Sequence, residues 1–344
     1  MIAAGYDTLL NMRALLLLTI PILIFTYIPS YSDEPALERQ QYHMGTYARV
    51  LIYGASNKQA ARAFSEIGRI DNLLSDYKPT SEISQINMQA GKRPVSVNPD
   101  VLEILTISKQ VAEKTRGGFD PTIGALTIGV YRFGRDGKSK ITEEDIESAK
   151  SLVDYKGLKI EGDTVYLEKE GMMLDLGGIG KGFAIDKAVE ALKEEGVTKG
   201  IVSLSGDIRV FGHEVTMSVK DPGSEGAIAE FKTGTGDLAI STSGGYERTV
   251  TSDGETYHHL ILPETGKPGN EFLSVTVVME ANNTLADAYA TSLFVMGKEK
   301  ALKFLEHHPE IGVFIVLPDR ETYYNKAFKA LTKNINVDSN ISAN

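Results

Sequence analysis

Apolar residues recur along the chain with the two spacings that are typical of strands and helices. The segment 46–53 (TYARVLIY) alternates apolar and polar residues, which predicts a half-buried strand. Because helices and strands mix without strict alternation, the expected fold class is α+β, a single compact domain of mixed strands and helices. Apolar spacing of three and four predicts helices over 57–75, 101–117, 142–150, about 180–195 and 283–297. Short strands are predicted at 157–161, 164–168, 172–176 and in apolar runs from 201 to ETYYNKAF at 321–328.

Polar residues mark where two of these helices begin. Asp100 precedes the second helical pattern and is predicted as its N-cap. Thr142 and Asp145 have the spacing of a capping box at the start of the third. Residues 33–43 show no clear period and are expected to form a polar lead-in.

The N-terminal segment predicts export. Arg13 precedes an apolar run at 14–28, which is followed by small and polar residues up to Ser32. This order is typical of a secretory signal peptide, predicted here over 1–32 with Met12 as an alternative start and Ser32 as the last residue removed. The expected location is therefore the periplasm or the outer face of the cytoplasmic membrane.

An uncleaved anchor helix is the alternative for the same run. It is less favoured, because the run is short for a membrane span and contains Pro21. The remaining chain divides into an expected domain over 33–332 and a polar tail, 333–344, which is expected to be disordered.

The net charge of −10 and the absence of cysteine exclude several classes of function. An acidic chain lacks the basic face that binding to a polyanion needs, so no nucleic-acid partner is expected. Without cysteine there is no disulfide, no thiol nucleophile and no zinc site built on thiolates.

The segment 175–186 (DLGGIGKGFAID) places four glycines and one lysine between a short apolar run and a helical pattern. It lacks the serine or threonine that follows the lysine of a P-loop, and Phe183 stands where a dinucleotide-binding fingerprint needs its last glycine. Two interpretations stay open at this point. One is a helix N-terminus that favours an anion, and the other is a tight strand-to-helix turn without a ligand.

Among the acidic residues of the polar segments, Asp287 is the hardest to explain by a purely structural role. It lies between Ala286 and Ala288 on an apolar helical pattern, where an unpaired buried charge is costly. Thr291 follows one turn later on the same face and adds a hydroxyl oxygen. A carboxylate and a hydroxyl suit Mg²⁺, which uses few protein oxygens and shares substrate phosphates. The adjacent pair His258 and His259 has a competing interpretation as surface residues at a strand end.

Taken together, the polar segments resemble the ApbE family, the FAD:protein FMN transferases. The resemblance runs from about Met44 to about Gly297. Its markers are Met44-Gly45-Thr46, Ser75-Asp76-Tyr77, Ser81-Glu82-Ile83, Ile86-Asn87, Gly118-Phe119-Asp120-Pro121, Asp175-Leu176-Gly177-Gly178-Ile179, Lys181-Gly182, Gly206-Asp207-Ile208, Ser243-Gly244, His259, Pro263, Thr265-Gly266, Ala286-Asp287-Ala288 and Ala290-Thr291.

The resemblance implies an ApbE-like, T-fold-like architecture and a phosphoryl-type transfer. Mg²⁺-bound FAD is split at its pyrophosphate, FMN is attached to a Ser or Thr hydroxyl of an acceptor protein, and AMP leaves. The implied acceptor carries an FMN-binding domain and is an exported or membrane-bound redox protein. Contact with the membrane would come through this partner or through the uncleaved anchor.

The resemblance also implies roles for individual residues. Asp287 and Thr291, with the backbone carbonyl of Gly180, match the metal ligands, so Asp287 is expected to act in catalysis. His259 matches a histidine that takes the acceptor's proton, a role that suits an unperturbed imidazole near neutral pH. The positions that match contacts to FAD are Met44, Tyr77, Gly118, Phe119, Asp120, Gly177, Phe183 and Ile261.

Three departures from the family pattern bear on activity. Gly180 replaces a usual alanine, which makes the turn looser. Leu262 stands where an aspartate is common, which removes a carboxylate from the loop of His259. The segment 203–205 is poorer in glycine than usual. Two alternatives to transfer therefore stay open, an FAD pyrophosphatase that uses water as the acceptor and a flavin-binding protein without turnover.

Overall fold

The computed structural model describes residues 36–135, 140–234, 236–246 and 248–337. The strands are β1 Ala36–His43, β2 Thr46–Tyr53, β3 Val95–Ser96, β4 Leu158–Glu161, β5 Thr164–Leu167, β6 Gly200–Leu204, β7 Asp207–Phe211, β8 Thr216–Lys220, β9 Ala227–Thr233, β10 Leu238–Gly244, β11 Thr249–Ser252, β12 Glu255–His258, β13 Ser274–Glu280, β14 Gly312–Val316, β15 Thr322–Tyr324 and β16 Thr332–Val337. The helices are α1 Asn57–Leu74, α2 Glu82–Met88, α3 Pro99–Lys114, α4 Gly124–Leu126, α5 Glu143–Lys150, α6 Gly180–Glu194, α7 Asn283–Met296, α8 Lys298–Glu306 and α9 Lys326–Leu331.

Eight strands form the central sheet, in the order β1-β2-β6-β7-β10-β13-β14-β15. Every neighbouring pair is antiparallel, and β1 pairs with β2 along its whole length. A second sheet has the order β16-β9-β8. Two further small sheets, β3-β5-β4 and β11-β12, lie in the connections.

Both faces of the central sheet are buried, because side chains that alternate along each strand pack against other elements on opposite sides. In β2, Val50 and Ile52 pack with residues of α1 and α6. Leu51 and Tyr53 point the other way and pack with the β8-β9 side of the molecule and with α9. Successive strand side chains point to opposite faces, so one strand contributes to two cores. The result is three layers: helices, the central sheet and the small sheet.

Helices α6 and α7 lie next to each other in the helical layer, and they carry the motif residues Lys181, Asp287 and Thr291. Asp186 on α6 accepts hydrogen bonds from the backbone N–H groups of Asn283 (3.0 Å) and Thr284 (2.8 Å), the first residues of α7. The side chain of Asn282 accepts another from the backbone N–H of Leu285 at 2.8 Å. A carboxylate at a helix N-terminus satisfies free N–H groups and is favoured by the helix dipole. The start of α7 is thereby fixed relative to α6.

The predicted α+β class and most of the predicted helices are confirmed. The capping box of Thr142 and Asp145 is also present. The cap of α3 is Asn98 rather than Asp100, because Pro99 occupies the first helical position. Residues 172–176 form no strand and make one bridge, from Met173 to Ile123. The predicted late strand ETYYNKAF ends at Tyr324 and continues as α9.

Both chain ends of the described region are strands where polar, irregular segments were predicted. Residues 36–43 form the edge strand β1. The prediction of a disordered tail from 333 is wrong for 333–337, which pair with β9 as part of β16. Ile335 and Val337 pack against the core on this side, so the alternation of polar and apolar residues there is a strand pattern.

The predicted signal peptide, 1–32, and residues 338–344 lie outside the described residues. Among the helices that the described ranges contain, none has the length and hydropathy that crossing a bilayer requires.

Candidate active site

A cavity of about 960 Å³ extends from the outer strands of the central sheet to helix α7. One end lies between β1, β2 and β6 on one side and β8 on the other. The other end is bounded by the glycine-rich segment, α7 and the loop after β12. Small-molecule sites commonly enclose about 300–1,000 Å³, so this space admits a dinucleotide. The predicted site residues that line it are Tyr77, Gly118, Phe119, Asp120, Gly177, His259, Ile261, Asp287 and Thr291.

Three predicted site residues do not line the cavity. Phe183 is fully buried in the core of α6 and the sheet. Lys181 does line the cavity, and Phe183, two residues later on the same helix, points about 200° away from it. Met44 and Gly180 pack against each other behind the wall, since a Cβ at Gly180 would lie 3.5 Å from the Met44 methyl. The predicted flavin contacts of Phe183 and Met44 and the metal-ligand role of Gly180 stay predictions, since none of the three residues lines the cavity of the structure.

Glycine is required in the segment 175–186 by the crossing of α6 and α7. A Cβ at Gly182 would lie 2.1 Å from the backbone oxygen of Asn283 and 2.9 Å from the Asp287 Cβ. A Cβ at Gly178 would lie 2.9 Å from the Thr291 hydroxyl. Contacts of this length are not possible, so these two glycines set how close the segment comes to α7. The glycine segment thus positions α7 next to the cavity.

A buried cluster of charges lies where the glycine segment meets α7. The Lys181 ammonium is 2.5 Å from Asp207 Oδ2 and 3.6 Å from Asp287 Oδ2. Asp207 also accepts a hydrogen bond from the Ser241 hydroxyl. Asp287 accepts one from the backbone N–H of Gly182 at 3.0 Å. Both carboxylates are almost fully buried, which makes the paired ammonium necessary.

Hydroxyl oxygens complete this end of the cavity. The Thr291 hydroxyl lies 3.2 Å from the Ser243 hydroxyl, and both residues line the cavity with Asp287. Within the described ranges, no three His, Asp or Glu side chains come together as a possible metal site. Asp287, Thr291 and Ser243 together offer the cavity one carboxylate and two hydroxyls, which suits Mg²⁺ better than a structural Ca²⁺ site.

His259 lies on the cavity wall in an environment that keeps it neutral. Burial, followed by the charges of Arg248 and Lys181, lowers its pKa to about 3. Its backbone N–H donates to the carbonyl of Arg248 at 3.1 Å. The Nδ1 atom is covered and has no hydrogen-bond partner among the described residues. The expectation of an unperturbed histidine is therefore wrong: the free protein holds a neutral imidazole with little affinity for a proton.

His258, the neighbour of His259, has a structural role. Its Nε2 is 2.6 Å from the carbonyl oxygen of Gly269, and its Nδ1 accepts from the backbone N–H of Leu260 at 3.2 Å. Both ring nitrogens are thus used within the chain. The pair is not a two-histidine metal site.

Tyr77 is held at the cavity wall by polar contacts and remains about half exposed. Its hydroxyl donates to the carbonyl of Phe133 at 2.8 Å, and the Arg135 guanidinium lies 4.1 Å from its ring centroid. Arg135 in turn pairs with Asp76 at 2.5 Å. Burial, and then the charge of Asp175, raises the pKa of Asp76. One face of the ring is thus used by Arg135, and the exposed part faces the cavity.

Asp120 stabilises its own loop. Its Oδ1 accepts from the backbone N–H and hydroxyl of Thr122 at 2.8 and 2.6 Å, and its Oδ2 accepts from the backbone N–H of Tyr155 at 2.9 Å. Both carboxylate oxygens are therefore occupied, and burial raises the pKa of this group. Asp120 shapes the wall beside Phe119, while its carboxylate is engaged with the protein.

A sequence model of the ApbE family matches residues 44–315, most of the chain and nearly all of the cavity wall. The chain belongs to the ApbE family. It is 30% identical over 307 residues to an FAD:protein FMN transferase of Treponema pallidum, covering 82% of this chain and 84% of the relative. It is 30% identical over 293 residues to one of Klebsiella pneumoniae, covering 84% and 92%.

Solved structures agree with this membership. A crystal structure of the ApbE protein of Thermotoga maritima matches with a TM-score of 0.79 and 29% identity, over 87% of this chain and 100% of that one. The flavin transferase ApbE of Vibrio cholerae matches with a TM-score of 0.76 and 25% identity, over 87% and 99%. The predicted family, fold and enzyme class, a transferase, are confirmed.

Lys181 and Asp207 have a larger part in this site of the ApbE family member than the sequence indicated. From the sequence, Lys181 lies in a segment that fits neither nucleotide template, and no role in the site was predicted for it. Asp207 was visible only as a Gly-Asp pair between two strands. The observation that unites them, one ammonium between two buried carboxylates, depends on β7, α6 and α7 meeting in three dimensions.

Proposed function

We propose that the protein is an Mg²⁺-dependent FAD:protein FMN transferase that releases AMP. The observation that carries the proposal is the arrangement at one end of the cavity. Asp287, Thr291 and Lys181 lie there together, and a neutral histidine, His259, shares the same wall. The names of the relatives, FAD:protein FMN transferase, support FAD as the substrate and a protein as the acceptor.

The residues present fit a Mg²⁺ ion. Asp207, Asp287 and Lys181 together carry one net negative charge, and the Thr291 and Ser243 hydroxyls add neutral oxygens. Mg²⁺ is usually bound by one or two carboxylates plus substrate phosphates, so the set is of the right kind. Asp287 and Thr291 would hold the ion. When bound, it neutralises charge on the pyrophosphate oxygens.

Charge at the reacting phosphate can be balanced by side chains of the same wall. Lys181 and Arg248 both line the cavity, and both are near enough to His259 to lower its pKa. Phosphoryl transfer depends mainly on positioning and on neutralising charge, and two fixed cations supply part of both. A pyrophosphate bound beside them would also counter their effect on His259 and raise its affinity for a proton.

In the proposed reaction, the acceptor's hydroxyl oxygen forms a bond to the phosphorus of the FMN half of FAD. The bond between that phosphorus and the bridging oxygen breaks, and the electron pair leaves with AMP. His259 accepts the hydroxyl proton, which a neutral imidazole can do. Tyr77 and Phe119, which line the cavity, would contact the flavin nucleotide.

The test is an incubation of the purified protein with FAD, Mg²⁺ and a candidate acceptor that carries an FMN-binding domain. AMP release with a flavin mass increase on a Ser or Thr of the acceptor supports the proposal. AMP release without labelling would show an FAD pyrophosphatase instead. FAD binding without AMP would show a flavin-binding protein without turnover.

A variant locates the activity in the described site. Asp287→Ala is expected to abolish Mg²⁺-dependent AMP release, because it removes the carboxylate that would hold the ion. Glu190→Ala is the control, since it removes an exposed carboxylate from the neighbouring helix α6. Normal Mg²⁺-dependent release by Asp287→Ala would show that the metal site is elsewhere.

The cellular setting is part of the proposal and rests on the sequence of residues 1–32. An exported enzyme would act in the periplasm or at the outer face of the cytoplasmic membrane, on an exported or membrane-bound redox protein. Its contact with the membrane would come through that acceptor or through an uncleaved anchor. Cell fractionation with mass analysis of the mature N-terminus tests this, and an intact N-terminus in the cytoplasmic fraction contradicts it.

A further inference from the structure

Lys181 lies between two buried carboxylates beside the cavity, and its ammonium is closer to one than to the other. The ammonium is 2.5 Å from Asp207 Oδ2 and 3.6 Å from Asp287 Oδ2. Asp207 lies behind the wall, while Lys181 and Asp287 line the cavity. Lys181 is therefore held by Asp207, which does not line the cavity, and lies next to Asp287, which does.

We propose that Lys181 competes with the metal cation for Asp287, and that Asp207 is a positioning residue that keeps the ammonium away when the metal binds. This inference rests on the proposed function, because it concerns the same metal. Two like charges close to one carboxylate repel each other strongly in a buried site. Without a metal, Lys181 compensates Asp287. With a metal, Asp207 continues to bind Lys181.

The surroundings of Asp207 suit a fixed tether. It starts strand β7 in the middle of the central sheet, and Ser241 on β10 donates a hydrogen bond to its other oxygen. Asp287 is fixed as well, through the backbone N–H of Gly182. Lys181 has the longest and most flexible of the three side chains, so its ammonium is the group that can move when a metal binds at Asp287.

The proposal predicts opposite effects of two nearly isosteric variants on metal affinity. Lys181→Gln removes the competing cation, so the dissociation constant for Mg²⁺ should fall at least tenfold, about 1.4 kcal/mol. Asp207→Asn removes the carboxylate that holds the ammonium away from Asp287. Lys181 then pairs with Asp287, so the dissociation constant for Mg²⁺ should rise at least tenfold. Loss of a merely structural contact would weaken binding in both variants.

Lys187→Gln is the matched control. Lys187 lies on the same helix and also sits between two carboxylates, at 3.3 Å from Asp100 and 2.8 Å from Glu103. Neither of these carboxylates lines the cavity. This variant should leave the Mg²⁺ affinity within about twofold of the parent protein.

The measurement is isothermal titration of the metal-free full chain with Mg²⁺, repeated with Mn²⁺, which prefers the same oxygen ligands. Circular dichroism and thermal unfolding confirm that each variant is folded. Opposite shifts for Lys181→Gln and Asp207→Asn support the proposal. Shifts in the same direction, or no shift in either, overturn it.

Failure of the inference and failure of the proposed function give different results. If the parent protein binds Mg²⁺ and transfers FMN but both variants weaken binding, only the competition is wrong. If the parent protein binds neither metal and cleaves FAD equally well in a chelator, the metal-dependent function is wrong, and the competition with it.

Discussion

His259 shows how its surroundings decide what one side chain can do. Burial, Arg248 and Lys181 all act against the protonated ring, and their sum lowers its pKa to about 3. His258, one residue earlier, uses both nitrogens in hydrogen bonds within the chain. Two adjacent histidines thus have different surroundings, because His259 lines the cavity and His258 does not.

The first prediction concerns transfer by His259→Asn. Asparagine keeps a polar side chain of similar width but cannot accept the acceptor's proton, so FMN transfer should slow by about 10²-fold or more. FAD binding should change by less than about threefold, because in the proposed function Lys181, Arg248 and the metal, rather than His259, would hold the phosphates. Single-turnover AMP release and equilibrium FAD binding measure the two effects.

His213→Asn is the matched control for that variant. His213 is half-buried and contacts the backbone oxygen of Phe211, away from the cavity. It should transfer FMN at the normal rate. Equal transfer rates in His259→Asn and His213→Asn would remove His259 from the mechanism.

The second prediction concerns acid stability. The folded-state pKa of His259, about 3, lies below its ordinary value of 6.5, so the unfolded chain binds a proton that the folded protein does not. This contribution is fully present above about pH 6.5 and is lost as the pH falls from there toward 3. His259→Asn should therefore lose less thermal stability than the parent between pH 7.5 and 5.

Thermal unfolding followed by circular dichroism at each pH makes that comparison. The other histidines with lowered pKa, His43, His213 and His258, contribute equally to both proteins and cancel in the difference. Parallel curves for parent and variant would mean that His259 titrates normally in the folded state.

At the scale of the elements, the crossing of α6 and α7 determines which glycines are replaceable. A Cβ at Gly182 meets backbone at 2.1 Å, whereas the nearest atom to a Cβ at Gly180 is a methyl at 3.5 Å. The family usually has alanine at the position of Gly180, and the structure explains why alanine fits there. The same four-glycine segment therefore contains both a strict and a permissive position.

The third prediction follows from this contrast. Gly182→Ala should destabilise the protein by about 1–3 kcal/mol, because α7 must move away, and it should also lower AMP release by displacing Asp287. Gly180→Ala should be neutral or stabilising by up to about 1 kcal/mol, since alanine favours the helix. Urea unfolding and AMP release test both. Equal stabilities of the two variants would contradict the close approach.

Sequence patterns predicted the amphipathic helices and the strands with buried apolar residues, such as β2, and missed an exposed strand at the sheet edge. Helices α1 and α7 follow from apolar spacing alone. Strand β1 lies at a sheet edge and is largely exposed, so its pairing with β2 rather than a hydrophobic period defines it. The segment 172–176 is apolar because it is buried beside α2 and the core, and a buried irregular segment has the same composition as a strand.

The same distinction holds for the site. Asp287 and Thr291 were predictable because a helix places residues four apart on one face. The role of Asp207 was not predictable, because Asp207 lies on strand β7 and contacts Lys181 on helix α6. Both residues are distant from Asp287 in sequence. The pKa of His259 could not be predicted from the sequence either, since it depends on burial and on Arg248, which precedes β11 and faces His259 across the base of the β11-β12 hairpin.

At the scale of the whole molecule, the cavity joins elements from both ends of the described chain. Its wall includes Glu38 on β1, Met217 on β8 and Thr291 on α7. These elements belong to different layers and contact one another through the central sheet. A ligand that fills the cavity therefore adds contacts between layers, and its binding energy should stabilise the domain as a unit.

The fourth prediction is that FAD protects all three of these walls together. At a free FAD concentration of 100 times the dissociation constant, stability should rise by about 2.7 kcal/mol, and amide exchange in β1, β8 and α7 should slow in parallel. Strand β14 and helix α8 contribute no residue to the cavity and serve as internal controls. Hydrogen exchange with mass spectrometry, with and without FAD, makes the measurement. A bound FAD that spans the cavity must contact both of its ends. Slowed amide exchange in α7 alone would therefore mean that the part of the cavity over β1 and β8 lies outside the dinucleotide site.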